Sequence, residues 1–243
     1  GISAGNFWVP VYLLWTQFDV PVAFWMTLAT MLCGYGSGVV RNLHQGTIHR
    51  GFLVQYLPWT VPAAVVGAYL SPALNVSWLI LLFGVFVCGY GARMLVQRWH
   101  QPATPQRLRA KLPWAIAISG GVLLGLITVG LGELMLPRML ADRQLGRPGD
   151  AVGAAVLIIF VTSLAAALAR LNGPFTAALA EQHTMLLRAM AFAAPGVILG
   201  GQLGPMIAQR LNARTLQLYV AVLLLLVGAL MLMRFLTVAG FMG

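Results

Sequence analysis

The chain has 243 residues, 60% of them apolar and only 8% charged. Soluble domains carry about 25% charged residues, so this composition excludes a water-soluble globular fold and specifies an integral membrane protein. The formal charge of +10 comes from Lys and Arg in short loops between apolar runs. That is the pattern of cytoplasmic loops, and it points to a membrane surface rather than nucleic acid.

In chain order, residues 1–15 are an apolar stretch interrupted by glycine and proline. Runs of about 20 residues, enough to cross a bilayer, follow at 21–40, 51–72 and 76–96. A second interrupted stretch occupies 113–140, and further spans are predicted at 149–169, 184–207 and 213–238. Each spanning run must be helical, because lipid leaves the backbone of an isolated strand unpaired. Cys33 and Cys88 lie within apolar runs and read as small hydrophobes, and no metal or cofactor is predicted. Most of the seven tryptophans fall near predicted span ends, where the ring anchors at the interface. Trp8 lies instead beside the first interruption.

The chain reads as one unit written twice. PAAVVGAYLSP at 62–72 returns as PGVILGGQLGP at 195–205. Leu74-Asn75 matches Leu211-Asn212, and GARML at 91–95 matches GALML at 228–232. Upstream, GISAGNFWVP at 1–10 aligns with TVGLGELMLP at 128–137, and VPVA at 20–23 with PGDA at 148–151. Residues 1–96 are therefore a first repeat, 97–112 a basic cytoplasmic linker suited to anionic head groups, and 113–243 a second repeat. The second repeat has PWAIAISGGVLLGLI at 113–127 ahead of its glycine motif, and the first has no counterpart. A first helix is accordingly expected before Gly1.

The expected fold is an all-α multi-pass membrane protein of two homologous four-segment repeats. The first helix of each is broken by glycine or re-entrant. Inverting the second repeat by letting 113–137 enter and leave on one side places two more of the 15 Lys and Arg in the cytoplasm, so the inverted arrangement is preferred. Internal duplication of this kind is characteristic of secondary transporters.

The glycine turn closed by a proline (GISAGNFWVP), the Ala23 to Thr27 helix start and the basic loop RNLHQGTI together resemble the TauE/SafE sulfite exporter family. The resemblance covers essentially the whole chain. It implies a carrier of the bacterial inner membrane that exports sulfite, an organosulfonate or another small organic anion. This chain departs from the glycine-rich turn, with Ser3 and Ala4 in the first unit and Glu133 after Gly132 in the second.

A break in a membrane helix frees backbone N–H groups, and a helix start with its positive dipole end suits an anion. The candidate substrate-binding residues are Gly5, Asn6 and Phe7 at the first break and Gly130, Gly132 and Glu133 at the second; the alternative use of such small residues is close helix packing. Glu133, a carboxylate inside a membrane segment, is a functional candidate by default: it would carry a proton coupled to anion movement, or else pair with Arg138 or Arg170. Arg41-Asn42 and Arg170 occupy similar places in the two copies; arginine suits bidentate sulfonate recognition, and the alternative, favoured for Arg41, is topology and interface anchoring. Thr27 offers a hydroxyl to the anion or to its own preceding turn.

An enzyme is disfavoured. GYGSG at 34–38 lacks the Gly-x-Ser-Gly order of an intramembrane serine protease, and His44, His49, His100 and His183 fall in loops or at span ends. There is no HExxH pattern and no phosphate-binding loop. A channel remains as the other class, along with a carrier for a different small solute such as a carboxylate. A homodimer is compatible with so compact a carrier.

Overall fold

The computed structural model describes residues 3–99, 113–142, 147–171, 173–210 and 213–240. Every element among the described residues is helical. Six helices are long and apolar enough to cross a membrane. They are α2 (Val20–His44), α3 (Arg50–Leu70), α4 (Val76–Trp99), α7 (Pro148–Ala169), α9 (His183–Arg210) and α10 (Ala213–Gly240), matching the six uninterrupted runs of the sequence. The two interrupted stretches form shorter pieces. The first is α1 (Gly5–Pro10) followed by a π-turn at Val11–Trp15, and the second is α5 (Pro113–Ile127) followed by α6 (Leu131–Leu140).

Local chemistry sets several helix ends. Asn75, half of the Leu-Asn turn, accepts the Ser77 N–H on Oδ1 at 3.0 Å and caps the start of α4. Asp150 reaches back to the Arg147 N–H at 3.2 Å at the start of α7. Pro10 has no N–H to donate, and the turn after it widens to i→i+5 geometry, with Thr16 N–H on Val11 O at 3.3 Å.

The helices pack on small residues, as membrane helices do. α4 runs along α10, with Gly91 against Leu224 and Ala221, and Gly228 against Cys88. These two glycines open the GARML and GALML phrases. α3 packs along α5 and α7, and a buried Thr162–Thr60 hydroxyl bond of 3.1 Å joins α3 to α7. α2 packs on α7 and α9. Thus α2 meets α9 as α7 meets α3. One apolar core lies around α1, the start of α2, α4 and α10, and a second around α3, α5, α6 and α7. Large apolar side chains such as Val54, Phe192 and Leu236 stay exposed, as lipid-facing surface requires.

One element was not expected from the sequence: α8 (Gly173–Glu181), whose Phe175 and Leu179 pack on the first core. The linker from 100 to 112 and the Leu211-Asn212 pair lie outside the described residues. Both cysteines are free thiols, Cys33 and Cys88 alike partly buried.

Candidate solute site at the paired helix breaks

The two interruptions meet. A Cβ placed on Gly5 would strike the Thr128 carbonyl oxygen and press on Val129, so the first break touches the second at van der Waals range only because residue 5 is glycine. The second break turns through Thr128 at φ 62° and Gly130 at φ 105°. Such positive angles favour glycine strongly over a residue with a Cβ. Gly132 completes the junction, with its Cβ position 3.9 Å from the Ser3 nitrogen.

Glu133 joins the two breaks. It is 1% exposed. Its Oε1 accepts the Ser3 N–H at 2.6 Å and the Asn6 Nδ2–H at 2.6 Å, and its Oε2 accepts the Gly130 N–H at 3.0 Å. Two of these donors belong to the first repeat and one to the second. Hydrogen bonds to a carboxylate are short and strong, and three of them satisfy most of its acceptor capacity without a cation. Asn6 Oδ1 and Thr128 Oγ1, both buried here, have no partner.

Arg170 does not pair with Glu133. It is buried where α7 ends and gives Nη2 to the carbonyls of Gly125 at 2.6 Å and Leu126 at 2.9 Å, with the guanidinium carbon 5.8 Å from the centre of the Phe24 ring. Those carbonyls end α5, where a cation complements the negative end of the helix dipole. Arg170 therefore fixes the limb that leads into the second break. Arg138, the other arginine considered, is exposed on α6.

The remaining candidates lie apart from the junction. Thr27 is fully buried and bonds its own helix at Ala23 O, 2.8 Å away. Phe7 is half exposed and meets Trp8 edge-on. Asn42 closes the end of α2 by donating to Gly38 O at 2.8 Å and accepting from the Thr47 hydroxyl at 2.8 Å. It lies on a groove of about 880 Å³ that runs from Ala4, Trp8 and Tyr35 to Arg41 and Thr47 between α2, α7 and α9. Ser37, Arg41 and Gln202 tie α2 to α9 along this groove: Gln202 Nε2 donates to Ser37 O and Oγ at 2.8 Å, and Arg41 Nη1 donates to Gln202 O at 2.7 Å.

Sequence reasoning passed over Ser3 as a donor, Thr128 and Gln202. Ser3 was visible only as a departure from glycine, and its contribution is a backbone N–H that any residue there carries. Gln202 had a usable signal, being an amide within an otherwise apolar span.

The whole arrangement now has a family context, since the sulfite exporter TauE/SafE family matches residues 1–231. The chain belongs to that family. It is a multi-pass protein of the bacterial inner membrane. Among curated proteins it is similar to the "Probable membrane transporter protein YunE" of Bacillus subtilis (strain 168). The two are 25% identical over 185 residues, which cover 69% of this chain and 64% of that relative. The match thus spans just under two thirds of the relative's length. No solved structure matches the chain.

Proposed function

We propose that this TauE/SafE member is a secondary carrier that exports a small anion, sulfite or an organosulfonate, bound where the two helix breaks meet. The observation that carries this reading is the convergence of Ser3 N–H, Asn6 Nδ2 and Gly130 N–H, drawn from both breaks, on one carboxylate. Donors arranged to hold an internal anion suit an external one of similar size. In this reading the solute and Glu133 compete for the same donors. A proton taken up by Glu133 frees the donors, and its loss returns the carboxylate and expels the anion. Thr128 keeps an unpaired hydroxyl that can donate to the incoming solute.

The matched packing of α2 on α9 and α7 on α3, with α4 on α10 between the copies, supports two repeats related by a two-fold axis. We take the second as inverted because that places more of the basic loops in the cytoplasm. Alternating access then follows from one lobe rocking against the other around the fixed junction. Gly5, Asn6, Gly130, Gly132 and Glu133 form the binding set. Arg170 and Thr27 support it structurally, while Asn42 lines the groove that reaches Ala4 beside the first break and Phe7 stays half exposed on α1. The chain is a carrier rather than an enzyme, and a homodimer is compatible with its exposed outer helices.

A carrier for a carboxylate is the second reading, favoured by one fact: the group those donors hold here is itself a carboxylate. The test is counterflow in proteoliposomes loaded with sulfite, an organosulfonate, acetate or chloride. Saturable exchange of sulfite or the sulfonate supports the first reading, and exchange of acetate alone supports the second. Flux that never saturates and shows no counterflow marks a channel and removes both.

A further inference from the structure

Asn6 and Glu133 hold the same place in the two breaks. Aligning GISAGNFWVP with TVGLGELMLP sets Asn6 opposite Glu133 and Ser3 opposite Gly130. In the second break the Gly130 N–H bonds Glu133 Oε2 at 3.0 Å, the bond by which a side chain in the first helical turn reaches back to the cap. The matching bond in the first break would run from Ser3 N–H to Asn6 Oδ1. Ser3 N–H crosses instead to Glu133 Oε1 at 2.6 Å. Asn6 follows it with Nδ2, also 2.6 Å from Oε1, and its own Oδ1 is left buried and bare.

A buried amide oxygen without a donor is costly, and as a pure acceptor it repels an incoming anion. What it fits is a proton donor. Glu133 becomes one when it takes up a proton, because a carboxylic acid carries an O–H. Turning the Asn6 amide through half a rotation exchanges the places of Oδ1 and Nδ2. The 2.6 Å separation then belongs to an O–H···O bond, for which it is an ordinary length, whereas it is short for N–H···O.

We propose that Asn6 is the switch that couples the proton on Glu133 to the anion, presenting its amide nitrogen to the carboxylate and its amide oxygen to the acid. With Glu133 ionised, Asn6 Nδ2 and Ser3 N–H are both engaged by Oε1. With Glu133 protonated at Oε1, that oxygen donates to Asn6 Oδ1 and releases Ser3 N–H. The turned Nδ2 faces away from residue 133. Two donors of the first break are then free for one solute anion. Loss of the proton reverses each step, so proton and anion bind and leave together. Asn6 thus positions the proton on Glu133 and lends the solute a donor only while that proton is present.

The surroundings leave the proton to this pair. Tyr35 of α2 and Tyr90 of α4 lie within electrostatic reach of Glu133, and phenols are neutral near pH 7. Tyr12 of the π-turn is bonded to the Thr30 hydroxyl at 2.6 Å. Arg170 of α7 is engaged by the Gly125 and Leu126 carbonyls, Arg138 of α6 is exposed, and Arg234 of α10 keeps an unpaired Nε. Residues 113–127 of α5 carry no titratable group. The inference rests on the carrier function proposed above for its solute, but not for the amide exchange itself.

The test begins without solute, as infrared spectroscopy of the protein in detergent with asparagine isotope-labelled at the side-chain carbonyl, recorded while the pH is lowered. A carboxylic acid band missing from Glu133→Gln marks protonation of Glu133. The switch predicts that one asparagine carbonyl band moves to lower frequency with the same midpoint, and that neither Asn6→Ala nor E133Q shows this movement. E133Q assigns the band by itself, so the result holds even where N6A fails to fold. A Glu133 acid band with no asparagine band moving overturns the switch. So does a Glu133 that stays ionised down to the pH at which the protein unfolds.

Binding of methanesulfonate, whose charge does not change over this range, then reads the coupling. Wild-type affinity should rise by up to about tenfold per pH unit as Glu133 takes up its proton, and N6A affinity by less than about twofold. E133Q, whose amide can donate to Asn6 Oδ1 as the acid does, should bind equally well at every pH. An N6A protein that keeps the wild-type slope overturns the role of Asn6. A wild type that shows the amide exchange yet binds neither methanesulfonate nor acetate removes the carrier reading and leaves the exchange standing.

Discussion

Asn6 donates its side-chain amide to Glu133 at 2.6 Å across 127 residues of sequence, and this bond joins the two helix breaks. Its worth is measurable. Asn6→Ala removes one of three donors, while Glu133→Ala leaves Ser3 N–H, Asn6 Nδ2 and Gly130 N–H without an acceptor. A buried unpaired donor costs about 1–3 kcal/mol, so E133A should be the more destabilising change. In the double variant the Asn6 substitution should cost far less than it does alone, a coupling of about 0.5–3 kcal/mol. Thermal unfolding in detergent of the four proteins gives the cycle, and additive losses would mean that the contact contributes nothing.

Glu133→Gln separates structure from coupling. The glutamine keeps the shape and one acceptor oxygen but turns an NH2 group toward donors, so some stability is lost. If proton exchange at residue 133 drives solute release, wild-type flux should change with pH while E133Q flux is low and does not. Flux assays under an imposed pH gradient read this directly. A variant that transports normally with unchanged pH dependence would remove Glu133 from the coupling step.

Much of this was legible in the sequence. The six spans follow from run length and apolarity alone, because a helix in lipid has no other way to satisfy its backbone. The two breaks were marked by Gly5, Pro10, Gly130 and Pro137, and their alignment already suggested that they belong together. The partner of Glu133 was not legible. Sequence reasoning offers a buried carboxylate an arginine, whereas Glu133 is held by amide donors, two of them backbone groups whose direction depends on how the chain turns at Ser3 and Gly130. Arg170 misled for the same reason, since its partners are the carbonyls of Gly125 and Leu126 and carbonyls carry no sequence signal. The short helix α8 was hidden because nine residues make too weak a pattern beside a long apolar neighbour.

Arg170 and Thr27 are expected to act on stability rather than on solute affinity. Arg170→Met strands two carbonyls at the end of α5, and hydrogen bonds to a charged group contribute about 1.5–3 kcal/mol each. The melting temperature should therefore fall clearly, with the half-saturating solute concentration of the surviving protein unchanged. Arg170→Lys should recover part of the loss, as a point charge lacks the planar fork. Thr27→Val should leave flux close to wild type, since the Thr27 hydroxyl already bonds Ala23 O. A large rise in half-saturating concentration for either residue would place it on the solute after all.

The close approach of the two breaks can be tested at Gly5 and Gly130 against Gly46 as a reference. Gly46 has φ 62° but open space around its Cβ position, so Gly46→Ala should cost only about 1–2 kcal/mol of backbone strain. Gly130 has φ 105° and its added Cβ would crowd Leu123 and Phe86, so G130A carries strain and overlap together. Gly5 has an ordinary backbone, and its difficulty is entirely the Thr128 carbonyl facing it across the junction. Backbone cannot yield as a flexible side chain can, so G5A must push the breaks apart and lengthen the Asn6–Glu133 bond. The order of melting temperatures should be G46A above both G5A and G130A, and G5A should also abolish the stability coupling between Asn6 and Glu133. G5A that melts like G46A and preserves the coupling would mean that the two breaks do not lie in contact.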